Sequence, residues 1–273
     1  MEGIDEDFEK EQYFEERKNS KETELVKKYF VNESDRKVFA DVFDKSTIQA
    51  IHTLAKKGNF DVLEYVVNTG KEAHLFRAVD SSGNYKAVKI YTILTSDFKN
   101  MEKYIAGDIR FKEVKKGKRE LVFAWTRKEY RNLELLMQCR ANSPQPIAFR
   151  ENVLVMEFIG EGGNASPILK ERGMGENEVE DFYRQVIEFV ANAFFSKNLI
   201  HADLSEFNIL VKGEKLFFID VGQAVLNSHP KAQEFFERDC MNVAKYFSKH
   251  GLEKTGEDVK EDVKKLKGKF GKK

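Results

Sequence analysis

Alternating hydrophobic and polar positions in the first part of the chain predict a β-sheet. Three runs alternate in this way, over residues 63–67, 73–79 and 85–91, and turn-forming stretches rich in Asn, Gly, Asp and Ser separate them. Turns of this kind join neighbouring antiparallel strands. Two further strand-like runs follow at 146–150 and 153–159. We therefore predict an antiparallel sheet before residue 160.

Hydrophobic residues at three- and four-residue intervals predict helices elsewhere. The intervals cover residues 35–57, with Ser46 as a candidate N-cap, and residues 121–139, 176–197 and 230–250. The positions expected to be buried in the second and third of these helices are Trp125, Leu133, Leu136, Met137, Val179, Phe182, Tyr183, Val186, Phe189, Val190 and Phe194.

The stretch Glu161-Gly162-Gly163 indicates a linker between a β-rich part and an α-rich part. The fold class is therefore predicted to be α+β. The expected segments are an acidic N-terminal extension over 1–32, helices with the β-rich lobe over 33–160, an α-rich lobe over 161–252 and a Lys-rich tail over 253–273.

Composition and charge exclude several classes of protein. The 273 residues are 41% hydrophobic, which is enough for a sizeable core, and the 46 basic and 46 acidic residues cancel. Cys139 and Cys240 lie far apart, so a disulfide framework or a zinc site is not expected. The N-terminus is acidic and lacks an apolar signal segment, and no apolar run is long enough to span a membrane, so a cytoplasmic protein is expected.

The candidate chemistry lies in the second half of the chain. Asp203 and Asn208 are five residues apart in a polar loop, and Asp220 follows a short apolar strand twelve residues later. Phosphoryl transfer needs one carboxylate to orient the nucleophile and accept its proton, and an amide oxygen and a second carboxylate to hold Mg²⁺ against the ATP phosphates. The spacing therefore predicts Asp203 as the base and Asn208 and Asp220 as metal ligands.

A lysine in the predicted sheet adds to this set. Lys89 in Ala87-Val88-Lys89-Ile90 is similar to the kinase lysine that contacts phosphates, and such a lysine needs an acidic partner on a helix. Glu129 is the first choice and Glu134 the second, although Glu129 could equally be a solvated helix residue. An ordinary outward-facing lysine is the alternative for Lys89.

The hairpin turn before Lys89 departs from common kinases, because it holds a single glycine in place of a GxGxxG loop. Thr69, Gly70 and Lys71 still offer backbone N–H groups, a hydroxyl and a cation to phosphate. A plain β-hairpin turn is the alternative.

Taken together, these residues resemble the RIO family of atypical serine/threonine protein kinases, and within it the first subfamily. The matching segments are 68–73 (Asn-Thr-Gly-Lys-Glu-Ala against the family pattern STGKEA), 87–91, 104–111, 125–133, 201–210 and 219–223. Asn68 replaces the usual Ser, and Gly222 stands where a Ser is common.

The resemblance implies a protein-kinase-like bilobal fold with a truncated α-rich lobe and a helical N-terminal extension. It implies ATP and Mg²⁺, or Mn²⁺ in its place, as cofactors, and Lys89 as a phosphate contact. By position, backbone groups of Glu157 and Ile159 would bind adenine. Asp220 would also accept phosphate transiently and give ATPase behaviour. The implied partners are a protein substrate, either the chain itself or a ribosome-assembly factor, and the precursor of the small ribosomal subunit, with no membrane.

Three alternatives remain open. In the first, the chain is an ATPase switch that leaves an assembly on hydrolysis, and protein phosphorylation is incidental. In the second, it is an RNA- or pre-ribosome-binding module, for which the basic stretch 115–119 and the Lys-rich tail would supply phosphate contacts. In the third, it is a small-molecule kinase, although those enzymes lack the hairpin at 70–73 and the segment at Gly107-Asp108.

Overall fold

The structure, a computed structural model, describes residues 21–31, 44–93, 98–111 and 117–270. The helices are α1 (Lys21–Tyr29), α2 (Lys45–Lys56), α3 (Phe98–Ile105), α4 (Lys118–Gln138), α5 (Leu169–Arg172), α6 (Val179–Lys197), α7 (Ala232–Ser248), α8 (Gly256–Lys265) and α9 (Lys267–Phe270). The strands are β1 (Val62–Thr69), β2 (Ala73–Val79), β3 (Tyr85–Tyr91), β4 (Pro146–Arg150), β5 (Val153–Glu157), β6 (Gly160–Glu161), β7 (Asn164–Ala165), β8 (Leu199–Ile200), β9 (Ile209–Lys212), β10 (Lys215–Phe218) and β11 (Val225–Leu226).

Of the described residues, those up to position 96 form one compact unit together with 148–155, and the others form a second unit. The boundaries predicted at residues 32, 160 and 252 stay predictions. No helix in the described part of the chain combines the length and apolarity needed to cross a membrane.

The first unit is built on a five-stranded sheet with the order β1-β2-β3-β5-β4. The strands predicted at 73–79, 85–91 and 146–150 have the predicted bounds. Alternate residues of β2 are buried, as expected for a strand with one face on a core. The Phe30 ring meets the Phe76 ring edge-to-face at 5.4 Å, so the chain after α1 packs on the sheet.

Helix α2 begins at a different cap from the predicted one. Asp44 is the N-cap, because its Oδ1 accepts a hydrogen bond from the Thr47 backbone N–H at 3.0 Å. The prediction for Ser46 was therefore wrong, and its hydroxyl instead donates to the same carboxylate oxygen. An Asp at this position satisfies a helix N–H that has no partner within the helix. The rest of the predicted helix, residues 35–43, lies outside the described residues.

The second unit is mainly helical around a core of aromatic residues. The rings of Phe189 on α6 and Phe218 on β10 stack at 3.7 Å, and Tyr104 on α3 lies 5.0 Å from Phe235 on α7. Trp125, Leu133 and Leu136 of α4 are buried as predicted. Val179, Phe182, Tyr183, Val186 and Phe189 of α6 are also buried, whereas Val190 and Phe194 are only partly so.

Two further local predictions differ from the structure. Met137 was expected to be buried, but its side chain is 43% exposed. Leu136 is the last buried residue of α4. Glu161-Gly162-Gly163 was expected to be a linker, but Glu161 lies in β6, which pairs antiparallel with β7, and Gly162 and Gly163 form the tight turn between these strands. Gly162 and Gly163 both have positive φ, which glycine adopts at low cost.

The segment predicted as a Lys-rich tail contains helix α8. Thr255 caps this helix in a reciprocal arrangement with Asp258, and Val259 and Val263 are buried. The many charged residues of this segment led us to predict a solvated tail. Two valines four residues apart are nevertheless enough to give a short helix one apolar face. The carboxylate of Asp262 accepts a hydrogen bond from the Tyr183 hydroxyl at 2.8 Å, which ties α8 to α6.

Gly107 allows a close approach between the turn after α3 and the segment before α7. Its φ is +99°, and a Cβ there would lie 2.7 Å from Cδ of Pro230. The neighbouring Ala106 carbonyl accepts a hydrogen bond from His229 Nε2 at 3.0 Å. Both the backbone conformation and the available space therefore require glycine.

We expect the substitution Gly107→Ala to lower the melting temperature more than Gly251→Ala does. Gly251 has a similar φ of +88° but open space around it, so both variants acquire left-handed strain of about 1–2 kcal/mol and only Gly107→Ala adds a steric clash of about 1–3 kcal/mol. Thermal unfolding of the three proteins measures the difference. Equal melting temperatures for the two variants would show that the turn yields to the extra methyl group.

Candidate active site

Asp203 and Asn208 are linked by direct hydrogen bonds in the loop between β8 and β9. Asn208 Nδ2 donates to the Asp203 backbone carbonyl at 2.8 Å and to Asp203 Oδ2 at 3.1 Å. Gln223 Nε2 donates to the same Oδ2 at 3.0 Å. The amide nitrogen of Asn208 is thereby committed to Asp203, which leaves its Oδ1 as the acceptor for another group.

The surroundings of Asp203 suit a proton acceptor. Burial raises the pKa of the Asp203 carboxyl, and the negative charge of Asp220 raises it further. The hydrogen bond from Asn208 and the charges of Arg238 and Lys103 oppose the rise in this pKa. A carboxylate with a raised pKa is a stronger base, and it can accept a proton as long as its pKa stays below the working pH.

Asp220 lies two residues after β10 in a strained backbone conformation. Its φ is +59°, in the left-handed region that costs about 1–2 kcal/mol for most residues and that Asp tolerates better than most. The side chain is exposed. The preceding residue, Ile219, donates its N–H to the Asn208 carbonyl at 3.0 Å, which keeps the two predicted metal ligands on adjacent segments. Strain of this kind is common at functional sites.

The donor set fits Mg²⁺ bound together with a nucleotide. Among the described residues, His, Cys, Asp and Glu side chains do not gather in groups of three or more that could hold a metal on their own. Mg²⁺ needs few protein ligands, because it keeps several waters and takes phosphate oxygens. The Asn208 amide oxygen and the Asp220 carboxylate are hard oxygen ligands of this type.

Helix α7 holds the loop around Asp203 from its buried side, a support that the sequence pattern did not reveal. Asp239 Oδ2 accepts the Ala202 N–H at 2.7 Å, and Asp239 Oδ1 accepts the Leu204 N–H at 2.9 Å. Burial raises the pKa of Asp239 to about 7. Its signal in the sequence was an acid on the same helix face as the buried Phe235 and Val243.

Further side chains of α7 bind the same loop. Arg238 donates to the Ala202 carbonyl and to the Tyr104 hydroxyl, which connects α3 with the loop. Asn242 donates to the Leu204 carbonyl at 3.1 Å. The backbone on both sides of Asp203 is therefore fixed, and Ala202 keeps a left-handed φ of +65°.

His201 lies in the interior of the second unit. It is 5% exposed, its Nε2 lies 3.1 Å from the Ile219 carbonyl, and its ring meets Phe189 edge-to-face at 6.2 Å. Burial lowers the pKa of His201 to about 4. His201 therefore connects the strand before Asp203 to the strand before Asp220 and stays neutral at physiological pH.

Lys89 and Glu129 lie in different units, and their predicted pairing stays a prediction. Lys89 is half-buried on β3, with its Nζ 5.1 Å from the Tyr91 ring centre. Glu129 is 1% exposed on α4, so a solvated position is wrong for it. The second choice, Glu134, is half-buried and forms an ion pair with Arg131 at 2.6 Å, which favours Glu129.

The hairpin turn with Thr69, Gly70 and Lys71 is exposed. The Gly70 N–H donates to the Ala73 carbonyl at 2.9 Å, so it closes the turn and is not offered to a phosphate. The Thr92 hydroxyl donates to the Lys71 carbonyl at 3.0 Å. The Thr69 hydroxyl and the Lys71 cation are the other two groups that the sequence predicts to bind phosphate, and that role stays a prediction.

The segment after β5 that was expected to bind adenine has two of its backbone groups occupied. The Glu157 N–H donates to the Gln145 carbonyl at 2.8 Å, and the Ile159 carbonyl accepts the Ser166 N–H at 3.0 Å. The remaining backbone groups of these two residues are the Glu157 carbonyl, an acceptor, and the Ile159 N–H, a donor.

Comparison with known proteins identifies the family of the chain. The family model described as the RIO domain matches residues 74–260, and the chain belongs to the RIO family. A solved structure of the Rio2 kinase–ADP/Mg²⁺–phosphoaspartate complex from Chaetomium thermophilum shares the fold, with a TM-score of 0.63 and 22% identity, over 81% of this chain and 66% of that one. The α+β, protein-kinase-like fold predicted from the sequence is thereby confirmed.

The relatives narrow the family to its first subfamily. The RIO-type serine/threonine-protein kinase Rio1 of Haloferax volcanii is 40% identical over 83% of this chain and 77% of its own length. The Rio1 protein of Methanocaldococcus jannaschii is 37% identical over 92% of this chain and 84% of its own. Human serine/threonine-protein kinase RIO1 is 35% identical over 87% of this chain, which covers 42% of the human protein. These names support protein kinase activity.

We expect His201 to make the protein sensitive to acid. In the unfolded chain a histidine gains a proton near pH 6.5, whereas folded His201 does so only near pH 4. Between these values the unfolded state binds more protons, so folding stability falls by roughly 2–3 kcal/mol as pH drops from 6.5 to 4.5. Urea unfolding at both pH values measures this loss.

The variant His201→Gln provides the comparison. It lacks the titrating ring, so its stability should fall by less over the same pH interval, even if it is less stable than the wild type at pH 7. Equal losses in the two proteins would mean that His201 is not the group responsible.

Proposed function

We propose that this chain is an ATP- and Mg²⁺-dependent serine/threonine protein kinase in which Asp203 is the base and Asn208 and Asp220 bind the metal. The observation that carries the proposal is the bond from Asn208 Nδ2 to Asp203 Oδ2, because one contact orients the base and leaves the amide oxygen for Mg²⁺. The effect of the Asp220 charge on the pKa of Asp203 supports a common site for these groups.

Each residue has a distinct task in this proposal. Asp203 accepts the proton of the substrate hydroxyl, and Gln223 and Asn208 hold its carboxylate in place. When bound, Mg²⁺ or Mn²⁺ would neutralise charge on the ATP phosphates. Lys89, with Glu129 as its ion-pair partner, and the hairpin residues Thr69 and Lys71 belong to the phosphate-binding part of the proposal, and Gly70 closes the turn that carries the two hairpin residues.

Adenine is assigned to the backbone after β5. The Glu157 carbonyl and the Ile159 N–H offer an acceptor and a donor two residues apart, which matches the neighbouring amino group and ring nitrogen on the edge of adenine. The bonds that already occupy the Glu157 N–H and the Ile159 carbonyl hold the segment in position for this role. Because only backbone groups take part, the side chain at 157 is weakly constrained.

ATP hydrolysis through Asp220 is the second part of the proposal. Asp220 is exposed, so its carboxylate is accessible to a phosphoryl group. The Chaetomium Rio2 structure is described as containing ADP, Mg²⁺ and phosphoaspartate, which supports an aspartate as the phosphate acceptor in this family. In this step the carboxylate oxygen would bond to phosphorus, ADP would leave, and water would later release phosphate.

By resemblance to the family, we also propose that the chain acts in the cytoplasm on the precursor of the small ribosomal subunit. The protein substrate would be the chain itself or an assembly factor. The RNA-binding alternative gains little support from the second unit, because three of the four cations that line a cavity of about 1110 Å³ there already have polar partners. These pairs are Arg110 with Asp108, Arg131 with Glu134, and Lys197 with Gln138.

We expect Asp203→Asn to reduce phosphate transfer from ATP by about 100-fold or more, because the amide cannot accept the proton. The radiolabel transferred from γ-³²P-ATP to a generic protein substrate and to the chain itself measures this loss. Asp61→Asn, the same change at an exposed aspartate just before β1, is the control and should keep full activity. Unchanged transfer in Asp203→Asn would refute the assignment of the base.

The acid stability of the transferred phosphate label distinguishes kinase activity from ATP hydrolysis through Asp220. We expect a fraction of label on the chain that is lost in acid, and borohydride treatment should convert Asp220 to homoserine, detectable by mass spectrometry of the 215–231 region. An acyl phosphate is reduced in this way, whereas phosphoserine is not. If all label survives acid, hydrolysis through Asp220 is excluded and the kinase assignment stands alone.

A further inference from the structure

One buried face of α4 carries two polar side chains that the phosphate-transfer chemistry leaves unexplained. Lys128 and Asn132 are both fully buried, and their spacing of four residues places them on the same side of the helix. Fully buried lysine is rare unless it is paired. Each of the two side chains therefore needs polar partners in the interior of the second unit.

Their partners are the backbone carbonyls that directly follow Asp220. Lys128 Nζ donates to the Gly222 carbonyl at 2.8 Å and also to the Ala224 carbonyl. Asn132 Nδ2 donates to the Val221 carbonyl at 2.7 Å and to the Ala224 carbonyl at 2.9 Å. Four hydrogen bonds from one helix thus converge on residues 221–224.

This short segment touches both carboxylates of the proposed site. It begins at Asp220, whose left-handed backbone needs surroundings that hold it. It also contains Gln223, whose Nε2 donates to Asp203 Oδ2. A shift of the segment would therefore move the proposed metal ligand and one of the two side chains that orient the base.

The bonding of Lys128 argues against a direct role for it at a phosphate. Its Nζ is buried and donates to two carbonyls. Burial lowers the pKa of Lys128 to about 7, and the charges of Asp108 and Glu129 oppose this fall. Glu129 is the adjacent residue and the proposed partner of Lys89. The same turn of α4 therefore carries Glu129, the proposed ion-pair partner, and Lys128, which supports the segment after Asp220.

We propose that Lys128 and Asn132 are positioning residues that set the geometry of Asp220 and Gln223 and thereby the affinity for Mg²⁺ with nucleotide. The proposal rests on the assignment of Asp220 as a metal ligand. Residues that orient metal ligands from behind commonly change metal affinity or activity by about 10–100-fold when they are replaced. A role limited to core packing would change stability and leave the Mg²⁺ requirement unaltered.

The variant Asn132→Leu tests the proposal, because leucine has a similar shape and removes both donated bonds. Thr126→Val is the matched control. Thr126 is also fully buried on α4, but its hydroxyl bonds only to the Val122 carbonyl of the same helix. Lys128→Met, which keeps the length of the side chain and removes its donors, is a second test in case Asn132→Leu does not fold.

We expect the Mg²⁺ concentration for half-maximal ADP binding, measured by calorimetry on the full chain, to rise at least tenfold in Asn132→Leu and to stay unchanged in Thr126→Val. A second measurement uses the nucleotide-free protein. The Ala224 amide, which donates to Val221, should exchange its hydrogen about tenfold faster in Asn132→Leu only.

The possible results separate this proposal from the proposed function. If the wild type binds ADP without any dependence on Mg²⁺, or if Asp220→Asn leaves that dependence intact, the metal assignment itself fails. If the wild type depends on Mg²⁺ through Asp220 but Asn132→Leu and Lys128→Met keep the wild-type Mg²⁺ requirement, the positioning role is refuted. Faster exchange at Ala224 without a change in Mg²⁺ affinity would also count against it.

Discussion

The buried carboxylate of Asp239 accepts the backbone N–H groups of Ala202 and Leu204, and the proposed site depends on these two bonds. They fix the peptide units on either side of Asp203, so its carboxylate can point at Asn208 and Gln223 without a flexible loop beneath it. Two such bonds to a buried charged acceptor stabilise the loop much more than exposed ones would. Helix α7 supports Asp203 in this way, and helix α4 supports the segment after Asp220.

Three buried groups with strongly shifted pKa values in the second unit support the backbone around the proposed site. Burial moves the pKa of Lys128 and of Asp239 to about 7 and that of His201 to about 4, and all three side chains bind backbone atoms next to the proposed site. In the proposed mechanism, the exposed Asp220 and the half-buried Asp203 carry the chemistry. These three shifted pKa values therefore belong to side chains that hold the backbone next to the proposed reacting atoms.

Sequence patterns predicted the local features well, because strand alternation and loop spacing are local properties. The bounds of β2, β3 and β4 and the spacing of Asp203, Asn208 and Asp220 are of this kind. Asp239, Lys128 and Asn132 could not be found in the same way, since their partners lie between 35 and 96 residues away along the chain. The helix at 256–265 was missed for a related reason, because its two buried valines are meaningful only once α6 and α7 are in place.

The left-handed backbone of Asp220 has a consequence for how this protein can lose activity in evolution. Aspartate, asparagine and glycine are the residues that adopt this conformation most easily. An aspartate codon becomes an asparagine or a glycine codon through a single nucleotide change. The mutations that remove the carboxylate most readily are thus also those that the backbone accepts best. A lineage could therefore become an inactive binding protein in one step without first passing through an unstable fold.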